Sequence, residues 1–144
     1  EHKENSKLSP VEIYGNTKLQ AENIVKKYCL ANNIKFTILR LFNVYGPDNL
    51  TPHFIPSVLE RIRKSSIVRV GNLGTKRDYI YVEDIVNILL KIVKRGNMND
   101  ETYNVGTGKS TTGADIIKII QKTLEKKIVI QNDKKLFRKV ERKI

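Results

Sequence analysis

Apolar residues recur along this chain in two alternating rhythms. Over residues 13–33 they fall at Leu19, Ile24, Val25, Tyr28 and Cys29, the spacing of one helix face, and Asn32-Asn33 ends the run. Residues 35–44 (KFTILRLFNV) are β-branched and apolar on both faces apart from Arg40. That pattern predicts a strand buried within a parallel sheet, stopped by Tyr45-Gly46-Pro47-Asp48. The helical rhythm returns over 51–65 (Ile55, Val58, Leu59, Ile62) and over 83–95 (Ile85, Ile88, Leu89, Ile92, Val93). It returns again from a cap at Thr111 or Thr112 to residue 124, with Ile116, Ile117, Ile119 and Ile120 facing inward. Short extended pieces are expected at 67–70, 78–81, 102–105 and 127–131. Gly71/Gly74, Gly96-Asn97 and Gly106-Thr107-Gly108 supply the turns.

Alternating helices and strands mean an α/β fold. Residues 1–12 and the basic tail 132–144 hold no core element, and no strand-Gly-x-x-Gly-x-x-Gly-helix unit occurs anywhere. The first half of such a sheet is therefore expected to lie outside this chain, with both ends reading as cuts. Gly106-Thr107-Gly108 follows a strand but has the wrong continuation for a phosphate loop.

Composition narrows the picture. The chain has 144 residues, of which 40% are hydrophobic and 29% charged, enough for a sizeable core. Its net charge of +12 fits nucleic acid, an anionic membrane or a phosphorylated ligand. The basic residues are spread along the chain, densest at Arg61-Ile-Arg63-Lys64 and at 134–143. No aromatic-interleaved RNA motif, zinc-ligand set or helix-turn-helix accompanies them, so nucleic acid is not the expected partner and no metal site is expected. No apolar run approaches the roughly 18 residues of a membrane span, and the start lacks a signal-peptide pattern. The single cysteine, Cys29, excludes an internal disulfide framework and reads as a buried structural thiol. A cytoplasmic protein without a membrane partner is the expectation.

Candidate chemistry begins at Tyr14-Gly15-Asn16-Thr17-Lys18. A Tyr and a Lys four residues apart stack on one helix face. A phenol transfers protons near neutral pH when its phenolate is stabilised, and a neighbouring ammonium does that directly. A solvated surface helix also produces this spacing. Further segments follow in order: Leu39-Arg-Leu-Phe-Asn43-Val-Tyr-Gly46-Pro47, Gly71-Asn-Leu-Gly-Thr-Lys-Arg77-Asp78-Tyr-Ile-Tyr-Val-Glu-Asp84, and Tyr103-Asn-Val-Gly106-Thr-Gly108.

Together, over residues 10–108, these segments resemble the extended short-chain dehydrogenase/reductases, specifically the NAD-dependent epimerase/dehydratase family acting on nucleotide sugars. The resemblance covers the C-terminal half or so of a family member. It implies the end of a Rossmann-like doubly wound parallel sheet over 1–47 and a smaller α/β nucleotide-sugar-binding portion over 48–144. The glycine-rich dinucleotide loop and a Ser/Thr partner of the tyrosine are missing. A fragment with little activity alone is implied, with a separate N-terminal half as one source of the remainder.

The resemblance also implies roles. Tyr14 is the general acid/base, and Lys18 holds the nicotinamide ribose of NAD or NADP and stabilises the phenolate. Phe42, Val44 and Tyr45 approach nicotinamide or substrate. Asn43 reaches the substrate, though a strand-end turn role also accounts for it. Arg77 contacts the nucleotide diphosphate or ribose, unless it is spent on a salt bridge with Asp78 or Glu83. Val70 lies where relatives line the base pocket with backbone groups, while His53 and Phe54 fall in the segment covering the sugar nucleotide. Residues 132–141 resemble the Asp-x-x-x-x-Arg-x-x-Glu stretch of the GDP-mannose 4,6-dehydratase and GDP-4-keto-6-deoxymannose reductase branch. There Arg138 would bind diphosphate and Glu141 would lie near the nucleotide. A GDP-, UDP- or dTDP-sugar is the implied ligand and a homodimer the implied assembly of the complete protein. Epimerase, 4,6-dehydratase and reductase chemistry stay open, as does a non-catalytic nucleotide-sugar-binding or partner-docking module.

Overall fold

A computed structural model describes residues 3–49, 51–96 and 100–137. Among the described residues there are four helices: α1 (Ile13–Ala31), α2 (Phe54–Lys64), α3 (Val82–Arg95) and α4 (Gly113–Thr123). The strands are β1 (Thr37–Leu41), β2 (Asn43–Tyr45), β3 (Ile67–Val70), β4 (Lys76–Tyr81), β5 (Glu101–Val105), β6 (Ser110–Thr112) and β7 (Val129–Asn132). A short 3-10 turn, Lys134–Leu136, follows. The fold is α/β with parallel pairing of β1 with β5, β2 with β4 and β3 with β7, as the alternation predicts; β6 joins β4 antiparallel.

The chain divides into two compact units that interleave in sequence. The first holds 1–42 and 83–105; the second holds 43–82 and 106–144. The boundary explains why the expected 35–44 strand is two strands. Phe42 N–H donates to Val105 O (3.0 Å), closing the β1–β5 ladder, and from Asn43 onward the backbone pairs with β4 instead. The short polar β6 lacks any apolar alternation, so periodicity gave no sign of it. It forms because Thr111 and Thr112 lie opposite Arg77 and Lys76.

In the first unit Phe36, Ile85 and Val105 are buried. Asp100 ties the two strand starts together, accepting from Lys35 Nζ (2.6 Å) and Phe36 N (3.1 Å). The apolar stripe of α1 is not buried as its periodicity predicts. The helix has no buried residue, and Ile24, Val25 and Tyr28 are exposed. Cys29 is half-buried rather than buried. Among the described residues the sheet of this unit has two strands, β1 and β5, so it offers α1 little apolar surface to pack on.

The second unit carries the main core. Val58 and Ile62 from α2, Val68 and Val70 from β3, Ile117 from α4 and Ile128 pack together, with Phe54, Leu73 and Ile120 against them. β3 alternates exposed and buried, placing Val68 and Val70 inward. Thr112 caps α4: its hydroxyl accepts from Asp115 N (3.1 Å) while the Asp115 carboxylate accepts from Thr112 N (3.3 Å). The Thr112 hydroxyl, which donates to the carboxylate (2.5 Å), and then the Thr112 N–H hold the Asp115 carboxyl below its ordinary range.

Candidate functional site

α1 presents Tyr14 and Lys18 on one face, with Lys18 Nζ 5.5 Å from the centroid of the Tyr14 ring. Tyr14 is 72% exposed, so its hydroxyl is accessible. The glycine between them has a reason: a Cβ at Gly15 would stand 3.0 Å from Pro10 Cβ, in the segment leading into the helix. Asn16 and Thr17 turn back onto the helix, donating to Glu12 O and Ile13 O.

One turn beyond Lys18, Glu22 fixes α1 against β1. Arg40 Nε donates to Glu22 Oε2 (2.9 Å) and Nη2 to Oε1 (2.7 Å), a bidentate pair, and Lys26 Nζ adds a third bond (2.7 Å). Arg40 also donates to Glu4 O (3.2 Å), while Glu4 Oε1 accepts from Asn104 N (2.9 Å). The Arg40 hydrogen bonds, aided by Lys26 and opposed by burial, bring the Glu22 carboxyl down to about 2. The lone arginine in an apolar strand was the sequence signal for this clamp.

The second unit contains a groove of about 190 Å³. α2 contributes Phe54, Ser57, Val58 and Arg61, spaced so that they share one helix face. The end of β3 contributes Val70 and Gly71, and β4 contributes Arg77 and Tyr79. Gly71 is required by close approach: a Cβ there would lie 2.5 Å from Leu136 O, so the backbone of the 3-10 turn passes directly over it. Arg77, Phe54 and Val70, expected at a ligand site from the sequence, are thus in one groove. The salt bridge that would have consumed Arg77 is not formed; no ion pair of Arg77 is present among the described residues. Arg61, Ser57, Asn72 and Tyr79 also line the groove and were missed, although the i, i+3, i+4, i+7 spacing of 54, 57, 58 and 61 was readable. A larger hollow in the first unit, about 480 Å³, is walled by Leu39, Ile88, Ile92 and Val105 and holds none of the expected site residues.

Asn43 Nδ2 donates to Asp78 O (2.9 Å), which orients its amide across the β2–β4 pair. The Tyr45 ring packs on Tyr81, centroids 5.5 Å apart, with Val44 half-buried between Asn43 and Tyr45 on the same strand. Phe42 is half-buried at the end of β1. His53 is the exposed N-cap residue of α2, makes no capping bond and is not in the groove lining. Arg138 and Glu141 lie outside the described residues. Among the described residues no group of His, Cys, Asp and Glu side chains is arranged to hold a metal ion. No helix there is long and apolar enough to cross a membrane.

The Gly106-Thr107-Gly108 turn has an internal anion. Asp78 Oδ1 accepts from Thr107 N (3.0 Å) and Thr107 Oγ1 (2.7 Å), and Oδ2 accepts from Gly108 N (2.8 Å). Donors that would face a phosphate in a ligand-binding loop face this carboxylate. Gly108 is needed for its φ of +74°. Asp78→Ala is expected to free the turn and cost about 1–2 kcal/mol, because the released donors are exposed and water replaces the carboxylate. Faster amide exchange at Thr107 and Gly108 checks this; unchanged exchange would count against the clasp.

Residues 1–106 match the model of the "NAD dependent epimerase/dehydratase family". The chain is 29% identical over 118 residues to the dTDP-D-glucose 4,6-dehydratase of Dictyostelium discoideum, covering 81% of this chain and 27% of that protein. Among solved structures, RMD from Pseudomonas aeruginosa complexed with NADPH superposes with a TM-score of 0.83 at 21% identity, covering 92% of this chain and 47% of that one; this likeness establishes the fold. The UDP-N-acetylglucosamine 4-epimerase from Methanobrevibacter ruminantium, in complex with UDP-N-acetylmuramic acid, gives 0.75 at 28% identity, covering 92% of this chain and 44% of that one. The chain therefore spans less than half the length of each of these relatives. With the family's model matched over most of its length, the chain belongs to the NAD dependent epimerase/dehydratase family.

Proposed function

We propose that this chain supplies the proton-transfer helix and the nucleotide-sugar-binding groove of an NAD(P)-dependent nucleotide-sugar epimerase, dehydratase or reductase. The observation that carries the reading is the groove, where Arg77, without a carboxylate partner among the described residues, sits beside Phe54 and Val70. A guanidinium beside apolar surface suits a diphosphate attached to a base and a sugar. Names among the relatives agree in class: they include dTDP-, CDP- and UDP-sugar enzymes.

In this reading Tyr14 exchanges a proton with a sugar hydroxyl, and Lys18 holds the nicotinamide ribose and places positive charge beside the phenol. Bound nicotinamide supplies the hydride chemistry. The chain's residues fit that group at one end: Tyr14 and Lys18 present an accessible hydroxyl and an ammonium on one helix face. The Gly106-Thr107-Gly108 turn is no cradle for its pyrophosphate, since the Thr107 and Gly108 N–H groups are on Asp78. Phe42, Val44 and Tyr45 would border the nicotinamide, and Asn43, His53, Arg138 and Glu141 would complete the sugar-nucleotide contacts. Functionally, 1–47 would serve the cofactor and 48–144 the substrate. The chain alone is expected to turn over little or not at all, and the complete protein to form a homodimer through α1.

The test is titration calorimetry of the chain with GDP-, UDP- and dTDP-sugars. At least one is expected to bind, and Arg77→Ala to weaken it at least tenfold, the loss of a charged hydrogen bond of about 1.5–3 kcal/mol. Absence of any nucleotide-sugar binding, together with steeply salt-dependent binding of duplex DNA, would sink the proposal. NAD-dependent turnover by the purified chain would overturn the expectation of inactivity. The non-catalytic reading rests on the groove being built wholly within one unit. It would be preferred if the sugar nucleotide binds and Tyr14→Phe changes nothing once an N-terminal dinucleotide-binding half is supplied.

A further inference from the structure

The helix that carries Tyr14 and Lys18 is not held by apolar packing. Its half-buried residues are Gly15, Leu19, Glu22, Lys26 and Cys29, one stripe along α1, and none of its residues is buried. Glycine offers no side chain and Glu22 and Lys26 are charged, so the centre of the stripe is polar. Glu22 stands there, and Arg40 of β1 grips it through Nε (2.9 Å) and Nη2 (2.7 Å). The same guanidinium reaches the chain on the other side of Tyr14: Nη1 donates to Glu4 O (3.2 Å). Glu4 is tied a second time, its Oε1 accepting from Asn104 N of β5 (2.9 Å). From Glu4 the chain runs to Pro10, which lies so close to the first turn that a Cβ at Gly15 would come within 3.0 Å of it. One arginine thus holds both the segment that enters α1 and the face one turn beyond Lys18.

A group at the surface of a helix lies about 5–6 Å from the axis, so a roll of about 10° moves it by about 1 Å. Misplacing a reacting group by that distance costs on the order of a hundredfold in rate. We infer that Arg40 is a positioning residue for Tyr14 and Lys18, setting the roll of α1 through Glu22 and the approach to its first turn through Glu4. The inference rests on the proton-transfer reading above and adds to it the residue that holds the proton-transfer helix in place. The site needs arginine because one rigid plane sends two bonds to the carboxylate and another to the carbonyl. A lysine has the charge without the fork. Lys26 bonds Glu22 from the same helix, so it adds charge but no hold on the sheet. Every group in this network belongs to the first unit, and none lines the groove of the second.

The experiment compares Arg40→Lys with Asp100→Asn, which weakens a different ion pair of the same unit, Lys35–Asp100, and leaves α1 alone. Its first readout is amide hydrogen exchange of the chain. α1 has no side-chain N-cap bond, and a helix without tertiary support is marginal in water. Arg40→Lys is therefore expected to speed exchange at Asn16, Thr17 and Lys18 by roughly tenfold or more, and Asp100→Asn by less than about threefold. Glu4→Ala, the milder variant if Arg40→Lys does not fold, should speed the same amides by a smaller factor, and Glu4→Gln, which keeps an acceptor for Asn104, should restore them. The second readout is turnover with an N-terminal dinucleotide-binding half supplied. Arg40→Lys should lower kcat roughly ten- to hundredfold while the nucleotide-sugar KM moves by less than about threefold, and Asp100→Asn should leave both near wild type. Unchanged exchange, equal effects of the two variants, or a fall in kcat matched by a rise in KM would overturn the inference. So would a kcat indifferent to Arg40→Lys but abolished by Tyr14→Phe, which leaves the proton-transfer reading intact. Turnover indifferent to Tyr14→Phe, or absent from the wild-type assembly, would defeat that reading and the inference with it.

Discussion

Glu22→Gln is expected to destabilise the chain by about 3 kcal/mol at neutral pH and to flatten its stability below pH 4.5. The Glu22 side chain is 10% exposed and that of Arg40 22%, so the pair is largely out of water. Breaking a fully buried pair from one side costs about 3–5 kcal/mol, because the abandoned charge stays desolvated, and Glu22 and Arg40 are only half-buried. A Gln still accepts one bond from Arg40, which places the cost at the lower end. The pH dependence follows from the same contact. Glu22 sits at about 2 in the folded chain, with Arg40 the largest cause, against roughly 4.3 when unfolded. A carboxyl lowered on folding stabilises above its unfolded value, and that stabilisation drains away as pH falls from about 4.5 towards 2. Urea unfolding at pH 7 and pH 3 should therefore show a large gap between wild type and variant at pH 7 that narrows at pH 3. A variant as stable as wild type at pH 7 would show that the clamp contributes nothing net.

Ile62→Ala should cost a comparable 2–5 kcal/mol in the second unit. Ile62 is 2% exposed and touches a cluster drawn from α2, β3 and α4. Truncation removes its transfer energy and leaves a void that Val68, itself fully buried, cannot move to fill without dragging β3. Val58 and Val70 belong both to this core and to the groove wall, so ligand affinity should fall together with stability. The measurement is the denaturant midpoint at constant slope. Ile62→Val, losing one methylene, should cost about 1 kcal/mol. Equal effects of Val and Ala would mean the site collapses freely and is not tightly packed.

Legibility in the sequence followed the range over which each feature is determined. β3 was readable residue for residue because Ile67–Val70 alternates against a one-sided core. A cap at Thr111 or Thr112 was readable from local sequence, and the reciprocal bonds with Asp115, three residues on, make it Thr112. The Tyr14–Lys18 pair was readable for the same local reason, and the groove positions of Arg77, Phe54 and Val70 through family likeness. Features set by distant partners were not. The break at Phe42 depends on Val105, and β6 depends on the start of β4. The Asp78 clasp depends on a turn thirty residues away. Arg61 lay in a basic cluster that looked like solvated charge, and only the position of the β3 carbonyl gives it a direction. The apolar stripe of α1 predicted the helix correctly and its burial wrongly, since periodicity reports which side is apolar and not whether a surface exists to meet it.

The interleaving of the two units has a kinetic consequence. β1 cannot close its ladder until β5 arrives, Thr37 waiting for Glu101, and β3 likewise waits for β7, Ile67 for Val129. Each of these two pairings encloses a loop of roughly sixty residues, and the entropy of closing it is spent before the contacts return anything. Helices α1 and α2 have local contacts and no such delay. Refolding should therefore show early helical signal followed by slower sheet formation in both units. Because the crossings fall at 42–43, 82–83 and 105–106, residues 43–82 of the second unit lie within the loop that the first closes, and residues 83–105 of the first within the loop that the second closes.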